Sequence, residues 1–172
     1  MESNQPRVEV ENMTINKKKY QQAILYFGWK LGKEIHGKKK LAKLLYYLDF
    51  DYYEKYQKYF TKEVYKKLPM GPFPISLEKI TVDMKKNKEL VIDKIDEWDG
   101  YNPTEVYRTL KKPDVSVFST EERKMLNRII KKYGHLNGKE LENLTHMEAP
   151  FVGTEDKKEI PYELSFYRGT EF

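Results

Sequence analysis

The chain has 172 residues, 34% of them charged and 39% apolar, a formal charge of +5 and no cysteine. That balance belongs to a globular chain rather than a disordered one. It excludes disulfide staples, thiolate metal ligands and thiol nucleophiles. No apolar run approaches the roughly 20 residues that span a bilayer, and the opening MESNQPRVEVEN has no apolar signal core. A cytoplasmic protein without membrane contact is the expectation. The charge is uneven, because Leu136–Phe172 carries 8 acidic and 4 basic residues, net −4, against +9 for the rest. Two readings stand: a lysine-rich solvated surface with an acidic tail folded onto it, or a surface for nucleic acid or an acidic protein.

In chain order, residues 1–16 have no sustained period and read as a flexible arm, leaving 17–172 as a single domain. Tyr20, Ile24, Phe27, Leu31 and Ile35 recur at steps of three and four, which predicts a first helix over Lys18–His36. Gly28 and Gly32 lie one turn apart on its flank. They mark either close approach of another helix or two tolerated glycines, each costing roughly 1 kcal/mol against alanine.

A second helix is predicted over Lys39–Gln57. Leu41, Leu44, Leu45, Leu48, Tyr52 and Tyr59 form its core stripe, since each residue advances about 100°. Asp49 and Asp51 are two residues apart, about 200°, so they fall on opposite flanks and fail as a catalytic pair. Tyr46, Phe50 and Tyr53 lie on the far side from the leucines. A helix apolar on both sides is either sandwiched or offers its second face to a partner, and the sandwich is favoured.

Pro69, Pro72 and Pro74 around Gly71 rule out a helix there. Ser76 is placed to cap a third helix carrying Leu77, Ile80 and Met84. ELVIDKIDEW and TEVYRTLKK read as strands joined by a turn at DGYNP, and with the segment near Val64 they make a small antiparallel sheet. Ser119 and Glu122 form a capping box for a fourth helix (Leu126, Ile129, Ile130, Tyr133) that ends at Gly134. Asn137 with Glu140 starts a fifth (Leu141, Leu144), and an apolar segment returns after it. The fold class is mainly α, in the α+β sense.

The search for chemistry ends quickly. The sequence has no phosphate loop, no nucleophile elbow and no H-E-x-x-H, so no catalytic residue, metal or cofactor is expected. His146 and Glu148 are placed near a helix end, where a histidine caps carbonyls more often than it binds metal. Lys17–Lys19, Lys30, Lys33, Lys38–Lys40 and Lys43 give a helix–turn–helix reading with phosphate contacts. The body of the second helix offers leucine and tyrosine rather than base-reading Arg, Asn or Gln, so specific nucleic-acid binding is not expected.

Five stretches carry a resemblance. KLLYYLDFDYY (Lys43–Tyr53), LPMGPFPISLE (Leu68–Glu78), FSTEERKMLNRIIKKYG (Phe118–Gly134), LTHMEAPF (Leu144–Phe151) and EIPYELSFY (Glu159–Tyr167) occur in that order. Over about Tyr20 to Tyr167 the chain resembles the Panacea domain of the SocA-like antitoxin family. It departs from the family's usual Gly-Pro-Val at Gly71-Pro72-Phe73 and from Pro-Trp at Pro150-Phe151, keeping an apolar side chain in both places. The resemblance implies a compact, mostly helical domain that binds and neutralises a cognate toxin by direct protein–protein contact, and with no catalytic motif found no enzyme is expected. In the SocA case the domain delivers the toxin to the ClpXP protease. The partner-binding surface is expected at Gly71, Pro72 and Phe73 and at His146, Pro150 and Phe151. The alternatives are a basic nucleic-acid-binding regulator, or a phage-associated protein of another role.

Overall fold

In the computed structural model, which describes residues 14–172, the aromatic-rich stretch forms one 19-residue helix, α2 (Lys38–Tyr56). Every residue from Leu41 to Tyr52 is buried. The helix is therefore enclosed on all sides, as a helix apolar all round must be. Tyr46 and Phe50 are sandwiched as expected, while Tyr53 is half-buried. Tyr59 is not part of the stripe: the helix stops at Gln57, which takes a left-handed backbone (φ 54).

The first helix is shorter than its periodicity implied. α1 covers Lys17–Lys30, capped by the Asn16 side chain on the Lys19 N–H. Gly32 and Lys33 then adopt positive φ (79 and 73), and Glu34–His36 becomes a strand, β1. Ile35 keeps its place in the core as a strand residue between two exposed neighbours. Gly28 does meet a close neighbour, but a strand rather than a helix, because a Cβ there would run into the Thr109 side chain. Of the expected arm, residues 1–13 lie outside the described residues. Ile15 packs on the core, and the Asn16 N–H donates to the Thr61 carbonyl at 2.7 Å.

Two antiparallel sheets replace the single one expected. β4 (Leu90–Ile95) and β5 (Thr104–Thr109) pair across the anticipated turn, and the third strand is β1, in the order β1-β5-β4. Tyr107 sits opposite both Ile35 and Ile92. The segment after Val64 instead makes its own hairpin from β2 (Tyr65–Leu68) and β3 (Gly71–Pro74). Pro72 and Pro74 have no N–H to offer a further strand, so β3 is an edge. The open side of β2 is bonded by the return segment, with Lys157 N–H to the Lys67 carbonyl (2.8 Å) and Ile160 N–H to the Tyr65 carbonyl (2.8 Å).

Helix α3 spans Leu77–Lys86. Ser76 precedes it but does not cap it, because its N–H and hydroxyl are taken by the Glu63 carboxylate at 3.0 and 3.1 Å. α4 (Thr120–Tyr133) and α5 (Gly138–His146) both start with the full reciprocal capping boxes read from Ser119/Glu122 and Asn137/Glu140. A short helix α6 (Ala149–Val152) and a 3-10 helix (Tyr162–Tyr167) complete the return. The architecture is mainly helical with small antiparallel sheets. Among the described residues, no helix is long and apolar enough to cross a membrane.

Candidate partner-binding site

The two segments singled out in the sequence meet at the β2–β3 hairpin. Gly71 opens β3 with φ 107, a conformation that favours glycine. It also faces the Lys43 stem and the Thr145 hydroxyl so closely that a Cβ would lie 2.6 Å from Lys43 Cε and 2.8 Å from Thr145 Oγ1. The Pro72 carbonyl accepts a hydrogen bond from Lys43 Nζ at 3.0 Å. Phe73 is half-buried, with Lys38 Nζ 5.7 Å above its ring.

On the other flank, His146 and Phe151 stack ring on ring, with centroids 4.3 Å apart at 10°. Lys67, opposite Pro72 in the hairpin, places its ammonium 4.4 Å over the Phe151 ring. The Pro150 carbonyl accepts from the Thr154 hydroxyl at 2.8 Å. Gly71, Pro72 and Pro150 are buried, whereas Phe73, His146 and Phe151 are half-buried. The buried three shape the hairpin and its support rather than touching solvent.

His146 does not cap helix carbonyls, since its ring is committed to Phe151 and its Nε2 is buried without a partner. It is not paired with Glu148 either. That carboxylate accepts from the Tyr46 and Tyr47 hydroxyls (2.9 and 3.2 Å) and from Arg168 (3.4 Å).

The exposed surface at the hairpin tip came from residues the sequence did not single out. Met70 is 59% exposed, and the β4–β5 turn brings up Trp98 and Tyr101, 71% and 78% exposed. An open depression of about 710 Å³ lies between Met70, Trp98, Tyr101, Pro103 and the start of α2. A second depression, of about 410 Å³, shares Met70, Lys38 and Lys39 and runs under Phe73 to Lys43. Large exposed apolar side chains grouped in this way mark a candidate contact surface. Single aromatics in a turn leave no periodic mark, so only the composition YNP beside W hinted at them.

Asp49 and Asp51 point to separate networks, as their spacing required, and both are fully buried. Asp49 accepts from the Thr61 N–H (2.8 Å), the Thr61 hydroxyl and the Tyr65 hydroxyl (2.5 Å). Burial still pushes its carboxyl up to about 7. Asp51 is clamped by Arg128 (2.5 Å) and Arg168 (2.6 Å), and Arg168 also reaches Glu54 at 2.9 Å. These groups hold α2 to α4 and to the return segment. Among the described residues, no cluster of three or more His, Asp or Glu could hold a metal ion.

The lysine row is divided on folding, with Lys18, Lys30 and Lys33 exposed and the others engaged. Lys43 is buried, Lys40 Nζ donates to the Gly134 carbonyl, and Lys17, Lys19 and Lys39 pair with Asp83, Glu122 and Glu142.

Compared with known proteins, residues 41–150 match the family described as "Antitoxin SocA-like, Panacea domain". No curated protein and no solved structure matches the chain.

Proposed function

This chain belongs to the SocA-like antitoxin family, through its Panacea domain, and from that we propose that it binds a cognate toxin protein and neutralises it by direct contact in the cytoplasm. The observation that carries the docking site is the exposed trio Met70, Trp98 and Tyr101 beside the hairpin that holds Gly71–Phe73. Tryptophan and tyrosine are enriched among the residues that carry binding energy, and methionine is enriched at interfaces. The hairpin is held on both sides, by α2 through Lys43 and by the return segment, so it presents its tip with little ordering cost. The His146–Phe151 stack lies against Lys67 of the same hairpin.

The test is co-expression with the product of the neighbouring open reading frame. Growth should be restored, the two proteins should co-purify, and Trp98→Ala with Met70→Asp should abolish both without lowering the melting temperature. Rescue that survives those changes would move the interface elsewhere. Sequence-specific duplex binding at physiological salt would favour the regulator reading instead. Delivery to a ClpXP-type protease is the second half of the proposal. It requires the toxin's lifetime in the cell to shorten when this chain is present, and to recover when ClpXP is removed.

A further inference from the structure

We propose that the depression between the first turn of α2 and the β2–β3 hairpin is a carboxylate-binding pocket, built to receive an acidic side chain flanked by apolar residues on the toxin. The inference rests on the toxin-docking reading and adds the chemistry of the contact. The pocket is about 410 Å³, walled by Leu68, Pro69, Met70 and Phe73, with three lysines and no acidic residue in its lining.

One of those lysines, Lys43, is 2% exposed. Its ammonium donates to the Pro72 carbonyl, and among the described residues no carboxylate pairs with it. Glu142, the nearest acidic influence on it, is itself held by Lys39 (3.0 Å) and Lys139 (3.2 Å). An ammonium has three donors, and a buried charge without a counter-ion is costly. Burial accordingly holds Lys43 down at about 8.

Space for the lysine's end is kept by the absence of a side chain at Gly71. Lys38 stands at the rim over Phe73 and makes no ion pair among the described residues. A carboxylate entering between Lys38 and Lys43 would supply the missing charge through charge-assisted hydrogen bonds, while its apolar neighbours cover Met70 and Phe73. A nucleic-acid backbone fits less well. It favours a row of free cations, whereas of the three lysines lining this pocket Lys39 is already paired with Glu142 and Lys43 is buried.

The probe is a blocked tripeptide, leucyl-phenylalanyl-glutamate, titrated into protein labelled with carbon-13 at lysine Cε. Lys43→Met identifies the Lys43 resonance by its loss. The expected result is a shift of that resonance, a rise of its midpoint by about one pH unit, and at least tenfold weaker binding of the glutamine counterpart. Lys38→Ala, which leaves the buried lysine in place, should weaken the glutamate peptide several-fold with the Lys43 signal intact. An unmoved Lys43 signal at millimolar peptide overturns the proposal. So does an equal response to the glutamine peptide, or a larger one to a thymidine oligonucleotide. Failure of the wild-type chain to protect against the neighbouring gene product would instead strike the toxin reading, and the peptide titration would still decide the pocket.

Discussion

Replacing Phe50 by alanine tests whether the aromatic helix is core or interface. Phe50 is fully buried, stacks on Tyr162 at 4.5 Å and 15°, meets Tyr65 edge-on at 5.5 Å and 85°, and lies 4.6 Å from Tyr46. Truncating a buried phenylalanine costs about 3–5 kcal/mol, and lost aromatic pairs add about 0.5–1.5 kcal/mol each beyond area burial. The neighbours cannot collapse into the space, because the Tyr46 and Tyr65 hydroxyls are tied to Glu148 and Asp49. The cost should therefore fall in the upper part of that range, about 4–5 kcal/mol. For a chain of this size each kcal/mol moves the melting temperature by about 2–4 °C, so calorimetry should record a fall of roughly 8–20 °C. Leu45→Ala, also fully buried, should lose about 2–5 kcal/mol in parallel. A Phe50→Ala protein that melts with the wild type yet no longer protects cells would refute the reasoning and put the interface on α2.

Asp49 supplies a pH signature. Its folded pKa of about 7 stands above the unfolded value near 3.9, so its contribution is full below about pH 4 and is lost as pH rises through 7. Urea unfolding should show up to about 4 kcal/mol of that dependence in the wild type and its loss in Asp49→Asn; parallel profiles would contradict it. Arg168→Met should cost about 3–5 kcal/mol by leaving buried acids short of a partner. Arg168→Lys should recover less than half, since one ammonium cannot fork to Asp51, Glu54 and Glu148 together. Gly28→Ala should destabilise by about 1–3 kcal/mol despite alanine's better helix propensity, and Thr109→Ala in the same chain should restore most of the loss.

Local chemistry made much of the fold readable. Both capping boxes lie within three residues, and the α2 stripe repeats within one helix, so sequence spacing alone specifies them. Ile35 misled because one residue satisfies both a helical step of four and the inward position of a three-residue strand. Only the backbone reversal at Gly32 and Lys33 separates the two. The sheet's third strand was missed for the related reason that β1 pairs with β5 across a separation of more than seventy residues. At the site, the expected residues lie on the hairpin and at His146–Phe151. Lys43 opens the first resembling stretch but reads from the sequence as a phosphate contact, because its burial is set by Gly71 and by the Pro72 carbonyl, twenty-nine residues on.

Arg168 also sets a clock. Its carboxylate partners on α2 are made 114 and 117 residues earlier, which at about 5–20 residues per second is a delay of roughly 6–23 s during synthesis. Throughout that delay Asp51 and Glu54 have no Arg168 to bury against, and the α2 aromatics lack Tyr162 as a lid. A nascent chain is thus open to proteases and to collisions with its neighbours until Arg168 emerges. Each newly started molecule can therefore close around its central helix only seconds after that helix is made, and fresh translation reaches the folded pool with that lag.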